Sequence, residues 1–398
     1  MTTFRTIDDL DVNGKRVVLR ADLNVPVADG SVSDTTRVER AADTIKALLD
    51  RGAAVMVLSH FGRPKGKVVP EMSLRPVVPA LSDAIGRSVR LVETDWKDGN
   101  ALAAAENAVP GDVLLFENTR FHPGDEANDA EFARTLAALG DVFVNDAFSA
   151  AHRAHASTEG IAHDLPAAAG LTMAAEIEAL EQALANPQRP VIAIVGGAKV
   201  STKIDLLANL VAKVDELVIG GGMANTFLAA EGHPIGKSLC EHDKLDTARE
   251  IEVAAKAAGC ELVLPIDVVA AKAFEANAPH RVCGLDQVED DERILDIGPQ
   301  TEADMEARLS HARTVVWNGP FGAFELSPFD AGTNAVARAA ARLTRAGRLL
   351  SVAGGGDTVA ALNKAGVTDS FSFVSTAGGA FLEWLEGKAL PGVEVLRK

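Results

Sequence analysis

The sequence predicts an α/β protein of two similar-sized domains, each a doubly wound, mostly parallel sheet flanked by helices, with an interdomain cleft. Three observations carry this reading. At 398 residues the chain is too long for one ordinary hydrophobic core. Short apolar runs alternate with amphipathic helical stretches from end to end, as parallel strands joined by crossover helices require. The rhythm pauses once, over an Ala/Glu-rich stretch at 172–184 that ends at Asn186-Pro187, and restarts with Val191-Ile192-Ala193-Ile194-Val195. The first domain is therefore expected over 1–171, a hinge helix over 172–186, and the second domain from 187 onward.

Taken in order, the first half shows strands at 16–19, 53–58, 89–92, 113–116 and 142–144, each a compact apolar run. Between the first two lies a helix at 36–50. Its apolar residues Val38, Ala41, Ala42, Ile45, Leu48 and Leu49 recur at helical spacing, and Gly52 is its stop signal. The second half repeats the pattern, with strands near 217–219, 262–264, 315–317, 349–353 and 371–374. Neither half contains a short-period repeat or a low-complexity tract.

Composition excludes several classes. A net charge of −17 argues against nucleic acid or an anionic membrane as partner, so an anionic ligand requires a local basic cluster. Tyrosine is absent and aromatics make up 5%, which leaves few stacking platforms for single strands. Mean hydropathy is +0.09, and no apolar run approaches the ~20 residues of a membrane span. The N-terminus lacks the apolar core of a signal peptide. Cys240, Cys260 and Cys283 are odd in number and lack CxxC spacing, as fits core fillers in a reducing cytoplasm.

In the first half, the basic residues fall just after strand ends. Asp22, Leu23 and Asn24 follow the first strand, Arg37 opens the next helix, and Ser59-His60-Phe61-Gly62-Arg63 follows the second. Arg120 and Arg153 follow later strands. Loops at strand C-termini share one edge of an open parallel sheet, so Arg37, His60, Arg63, Arg120 and Arg153 are expected on one concave face. Each alone reads as a solvated surface residue. Five such residues in an acidic chain point to a polyanionic small molecule, for which guanidinium offers bidentate recognition.

The second half is rich in glycine turns between strand and helix. Ser351-Val352-Ala353-Gly354-Gly355-Gly356-Asp357-Thr358 runs from an apolar strand into a helix. Such turns leave N–H groups free for an anion, favoured further by the helix N-terminus. Asp357 either caps that helix or holds a Mg²⁺ that carries phosphates. Gly196-Gly197-Ala198-Lys199-Val200-Ser201-Thr202-Lys203 repeats the design, with two lysines expected on one helix face. Gly221, in a third glycine turn, allows close approach of a ring or a sugar. Asn318, Pro320 and Glu325 lie in Trp317-Asn318-Gly319-Pro320-Phe321-Gly322-Ala323-Phe324-Glu325, where Glu325 is either a ribose ligand or an ordinary exposed acid. Ser375-Thr376-Ala377-Gly378-Gly379 is a further helix start, or simply a turn. Gly232-His233-Pro234-Ile235-Gly236-Lys237-Ser238 mimics a P-loop, but its glycine spacing is one residue short and it follows a helix. No GxGxxG fingerprint with a distant acid supports a dinucleotide site.

Together these stretches resemble the phosphoglycerate kinase family over nearly the whole chain. The matching motifs are RADLNVPV at 20–27, SHFGRP at 59–64, ENTRFH at 117–122, DAF…AHRAH at 146–155, GGAKVSTK at 196–203, GGGMANTF at 220–227, WNGPFGAFE at 317–325, GGGDT at 354–358 and LEGKALPGV at 385–393. The resemblance implies that Asp22, Leu23, Asn24, Arg37, His60, Phe61, Gly62, Arg63, Arg120 and Arg153 bind 3-phosphoglycerate or 1,3-bisphosphoglycerate. It implies that Gly197, Lys199, Lys203, Gly221, Asn318, Pro320, Glu325, Gly355, Gly356, Asp357 and Thr358 bind ADP or ATP, with Asp357 on Mg²⁺. Arg37, Lys203, Gly378 and Gly379 take catalytic roles, and the second domain spans 187–378. Residues 379–398 return to the first domain, and the enzyme is a cytoplasmic monomer. Two departures stand out: Ala377-Gly378-Gly379 replaces a triple glycine, and Ser149-Ala150 replaces Gly-Thr.

The implied reaction transfers a phosphoryl group between a nucleotide and a carboxylate. The acceptor is already ionised, which fits the lack of a Ser-His-Asp or paired-carboxylate arrangement. A nicotinamide-dependent dehydrogenase and a hinged anion-binding protein share the two-domain outline. The first lacks its fingerprint here, and the second leaves Lys203 and Asp357 without a task.

Overall fold

The computed structural model describes residues 4–398. The chain divides into two units. One comprises the chain up to Glu178 together with Ala389–Lys398, and the other comprises Ala179–Lys388.

The first unit is built on a six-stranded sheet whose pairings are all parallel. Its order is Arg90–Val92, Val113–Phe116, Ala54–Leu58, Arg16–Arg20, Val142–Asn145, Ala167–Ala169. Helices cover a parallel sheet on both faces, so its strands must be apolar throughout rather than alternating. Ala54–Leu58 and Val113–Phe116 are buried at every position. The helix Thr36–Asp50 buries Val38, Ala41, Ala42, Ile45, Leu48 and Leu49 against this sheet, the face its periodicity predicts. The strand Ala167–Ala169 was not foreseen, because three alanines carry no β-branched signal.

The second unit repeats the plan. Its parallel sheet runs Glu261–Val263, Glu216–Ile219, Val191–Val195, Thr314–Asn318, Leu350–Gly354, Phe373–Ser375. A second, antiparallel sheet of His280–Gly284, Asp267–Ala271 and Arg293–Ile297 is an addition to the expected architecture.

In each unit the chain leaves two adjacent central strands in opposite directions. These pairs are Arg16–Arg20 with Val142–Asn145, and Val191–Val195 with Thr314–Asn318. The crevice beyond the C-terminal ends of such a pair is where open α/β sheets bind ligands.

Three details correct the sequence reading. The helix expected at 172–184 is α-helical only over Leu171–Leu180 and widens into a π-turn at Glu181–Ala185 ahead of Asn186-Pro187. The return to the first unit begins at Ala389 rather than 379. Helix Gly378–Leu385 stays with the second unit because Phe381 lies against Gly354 and the Leu385 carbonyl accepts from Asn209 Nδ2. The last ten residues join the first unit through Arg5 N–H to Leu396 O at 2.8 Å and Asn145 Nδ2 to Gly392 O at 3.2 Å. Finally, Lys199 and Lys203 do not share a helix face. The α-helix begins at Ile204, and Lys199 is extended and exposed.

Candidate functional site

In the first unit the site grows from the end of strand Arg16–Arg20. Asp22 accepts from Ser149 Oγ and pairs with Arg37 Nη1 at 2.9 Å, and Arg37 Nη1 also donates to the Asn24 carbonyl at 3.0 Å. The Asn24 side chain accepts from Gly62 N–H at 3.0 Å, and the Gly62 carbonyl accepts from Arg120 Nη1 at 3.0 Å. Loops after four different strands are thereby locked to one another and to the helix that carries Arg37. The Ser149 departure has a visible consequence, since its hydroxyl shares the Asp22 carboxylate with Arg37.

Charge accumulates here as the sequence implies. Burial lowers the Arg120 pKa, Glu126 and Asp125 oppose that, and Arg153 and Arg63 press it down further. Those three arginines therefore lie within electrostatic reach of one another. Glu126 stands 3.4 Å from Arg120 Nε, a buried nitrogen with no aligned hydrogen-bond acceptor. His60 is held well below its usual pKa, first by burial and then by Arg20, Arg120, His155 and Arg37. Its Nδ1 lies 2.9 Å from Arg20 Nη2. Guanidinium only donates, so Nδ1 accepts and the proton sits on Nε2. His60 is a neutral donor inside a cationic cluster.

Two predicted residues contribute differently. Leu23 is fully buried in the core, and only its backbone serves the site, through N–H to Ser59 Oγ at 2.9 Å. Phe61 is half-buried against the same core. Arg63 and Arg153 are exposed, free to reach a ligand.

Sequence reasoning missed the support behind this face. Arg20 is fully buried and donates to Ser157 Oγ at 3.1 Å as well as to His60. Asp125 is also fully buried. It accepts from Thr119 Oγ1 and from Ser157 N–H, and its charge raises the burial-depressed pKa of Arg20. A buried cation without such a partner would cost several kcal/mol, about 3–5 by general experience.

In the second unit the site lies at the crevice between Val191–Val195 and Thr314–Asn318. Lys203 Nζ donates to Gly196 O at 2.5 Å and to Asn318 Oδ1 at 2.6 Å, spanning both strand ends. Asn318 Nδ2 donates in turn to Gly354 O at 2.8 Å, and Thr358 Oγ1 accepts from Gly319 N–H at 2.7 Å. Burial pulls the Lys203 pKa down to about 8 against the opposing pull of Asp357, which places that carboxylate within electrostatic reach. Gly355 has φ +97°, and a Cβ there would stand 2.6 Å from Asn318 Nδ2, so only glycine fits. Gly221 has φ +68° and backs onto Gly197, where a Cβ would meet backbone at 2.8 Å.

Beside this turn opens a cavity of about 550 Å³. Gly197, Gly221, Pro320, Glu325 and Asp357 line it, five of the residues predicted from sequence. Lys203, Asn318, Gly355 and Thr358 form the turn behind it through the bonds just described. Gly356 is exposed at the first turn of helix Gly356–Ala365. Lys199 takes no part in the cavity lining. Gly378 begins its helix about 4.0 Å, as a Cβ would measure it, from the Gly355–Gly356 backbone. Ala377 has φ −99°, a region open to any residue, so the departure from triple glycine leaves the backbone path intact. The false P-loop resolves as a helix end, with Gly232 as left-handed cap at φ +95°.

Apolar side chains that no motif flagged complete the lining. Phe274 is 62% exposed and Leu239 52% exposed, both at the cavity. Large apolar groups held open to water beside a polar turn suit a flat, partly apolar ligand. Asp357 is an exposed carboxylate in the first turn of its helix, and no group of three His, Cys, Asp or Glu able to hold a metal occurs among the described residues. That donor set fits Mg²⁺, which takes one or two carboxylates and fills its shell with phosphate oxygens and water. Among the described residues no helix is long and apolar enough to cross a membrane.

Known proteins are similar to this chain over nearly its whole length. The family model described as phosphoglycerate kinase matches residues 7–388. A phosphoglycerate kinase of Rhodospirillum centenum is 64% identical over 393 residues, covering 99% of both chains. One of Azorhizobium caulinodans is 62% identical over 398 residues, covering 100% of both. The solved phosphoglycerate kinase of Coxiella burnetii, 47% identical, superposes with a TM-score of 0.92 over 99% of this chain and 98% of its own.

Proposed function

This chain belongs to the phosphoglycerate kinase family, phosphotransferases with a carboxyl group as acceptor, and from that premise we propose that it moves a phosphoryl group reversibly from 1,3-bisphosphoglycerate to ADP, giving 3-phosphoglycerate and ATP. The observation that carries this reading is Lys203, a half-buried lysine bridging two strand ends beside a cavity of nucleotide size.

The arginine-lined face of the first unit takes the phosphoglycerate. Arg63, Arg120 and Arg153 hold its distal phosphate, His60 donates from Nε2, and Asp22 and Asn24 fix Arg37 for the carboxyl end. In the second unit the apolar cavity takes the base and Glu325 meets the ribose. The glycine turns and Lys203 receive the phosphates. Asp357 would hold Mg²⁺, whose charge neutralises phosphate oxygens when it is bound. Transfer needs no general base, because the acceptor carboxylate is already ionised. The remaining work is in-line positioning and charge compensation, done by Arg37, by Lys203 and by the N–H groups at Gly378 and Gly379. Among the described residues, Lys203 Nζ donates only to neutral oxygens, those of Gly196 and Asn318. A phosphoryl oxygen offers it a negative partner instead and favours its protonated form.

Because the two sets of residues belong to different units, transfer requires closure to bring the reacting atoms within ~3–3.5 Å. The substrates are small molecules, and the enzyme acts as a cytoplasmic monomer without nucleic acid or membrane. A coupled assay for 1,3-bisphosphoglycerate from ATP and 3-phosphoglycerate tests the proposal. Turnover is expected with Mg²⁺ and not after chelation, and no turnover in either condition would refute it.

A further inference from the structure

Asp146 opens the loop that carries Arg153, yet its carboxylate serves a different element. It is 4% exposed. Its Oδ2 accepts from the Thr44 hydroxyl at 2.6 Å and its Oδ1 from Met173 N–H at 3.0 Å. Thr44 Oγ1 accepts in turn from Leu171 N–H at 3.1 Å, and Asp146 N–H donates to the Arg20 carbonyl at 2.8 Å. Thr44 is fully buried, on the helix Thr36–Asp50 that carries Arg37 near its start. Leu171 and Met173 lie in the first turn of Leu171–Leu180, the helix along which the chain passes from one unit into the other.

The first N–H groups of a helix have no partner within it. Here one acid and one hydroxyl, from two different elements, supply partners for two of them. Gly170 makes the approach possible, because a Cβ there would stand 2.3 Å from Asp146 Oδ1. Burial also pushes the Asp146 carboxyl up to about 6, against the hydrogen bonds that favour its charge. A neutral cap would satisfy the same N–H groups without that cost.

We propose that Asp146 and Thr44 form a relay tying two of the arginine-bearing elements of the phosphoglycerate site, those of Arg37 and Arg153, to the first turn of the connecting helix, so that filling the site orients that helix for closure. Both are positioning residues, since neither touches substrate. Ser149 strengthens the linkage, bonding Asp22 from the same loop that Asp146 begins. The relay rests on the reading above that the units close during turnover.

The test separates the two ideas. Solution scattering with and without both substrates, phosphoglycerate affinity by calorimetry, and kcat are measured on the wild type, Thr44→Val, Thr44→Ser and Asp146→Asn. The wild type is expected to contract when both substrates bind, and no contraction would overturn the closure reading itself. Given contraction, Thr44→Val is expected to lower kcat about tenfold and blunt the contraction, with phosphoglycerate affinity changed by less than about threefold. Thr44→Ser is expected to restore both. A Thr44→Val protein that contracts and turns over like the wild type would overturn the relay. If Thr44→Val does not fold, Asp146→Asn decides by the same readouts: reduced kcat and contraction support the relay, and wild-type values overturn it.

Discussion

On the proposed assignment, the two units hold a phosphorylated ligand at the edge of a parallel sheet by opposite means. The first collects long cationic side chains. Arg37, Arg63, Arg120 and Arg153 come from separate segments, and buried Arg20 and Asp125 stiffen them from behind. The second uses backbone, with glycine turns at Gly197, Gly221 and Gly355, a half-buried lysine that bridges strand ends, and a largely apolar cavity. A small, highly charged ligand calls for direct charge, and guanidinium keeps its charge at any working pH. A nucleotide brings a large apolar base, so much of its binding comes from burial and its phosphates are met by N–H dipoles. In a chain of net charge −17, concentrating cations on one unit confines the electrostatic cost to one face.

If that division is right, the largest effect comes from Lys203, the lysine that bridges the strand ends of the backbone-built site. Lys203→Ala is expected to lower kcat by roughly 10²–10³-fold while nucleotide affinity changes little, as for loss of a donor aimed at transition-state charge. Steady-state kinetics beside nucleotide calorimetry would check it, and an unchanged kcat would remove Lys203 from the mechanism. Next comes Arg63→Ala, expected to raise KM for the phosphoglycerate roughly tenfold through loss of a charge-assisted hydrogen bond and to leave the nucleotide KM alone. An effect confined to ADP would reverse the assignment of the two units.

How much of this contrast could be read from the sequence depends on how far apart the cooperating residues lie. Whereas Arg37 was read from the start of a helix, Arg63, Arg120 and the glycine turns were legible because each sits within a few residues of an apolar strand's end, where the loops of an open parallel sheet share one edge. Arg20 was not, although it stands in the same motif as Asp22. Its role shows only through Ser157 and His60, distant in the chain. Phe274 and Leu239 gave no signal because a single exposed apolar residue in a loop has no periodicity. Lys199 was over-read: four-residue spacing implies a shared face only inside a helix, and here the helix starts after Lys203. The antiparallel sheet escaped because strands such as His280–Gly284 mix exposed and buried positions without a clean apolar run.

A smaller effect separates the units by pH. The Lys203 pKa of about 8 means that the free enzyme loses this charge as pH rises through that value. The profile of kcat/KM for the nucleotide is expected to fall above about pH 8 and to be flat below it on this group's account, since kcat/KM reports the free enzyme. Phosphoglycerate affinity should hold across the same range, because arginines keep their protons and His60 is already neutral. A matching alkaline loss of phosphoglycerate binding would blur the distinction. The smallest effect belongs to Ala377→Gly. With φ at −99° the alanine is unstrained, so glycine should lower stability by about 0.5–1 kcal/mol and leave kcat within twofold, read by denaturant melts and kinetics.

The division of labour itself is tested most directly by amide hydrogen exchange with one ligand at a time. With 3-phosphoglycerate alone, protection should appear in the segments around His60–Arg63 and Arg153, while the turns at Gly196-Gly197 and Gly354–Thr358 exchange as in the free protein. ADP alone should give the reverse pattern. Protection of the glycine turns by 3-phosphoglycerate alone would contradict the assignment of ligands to units.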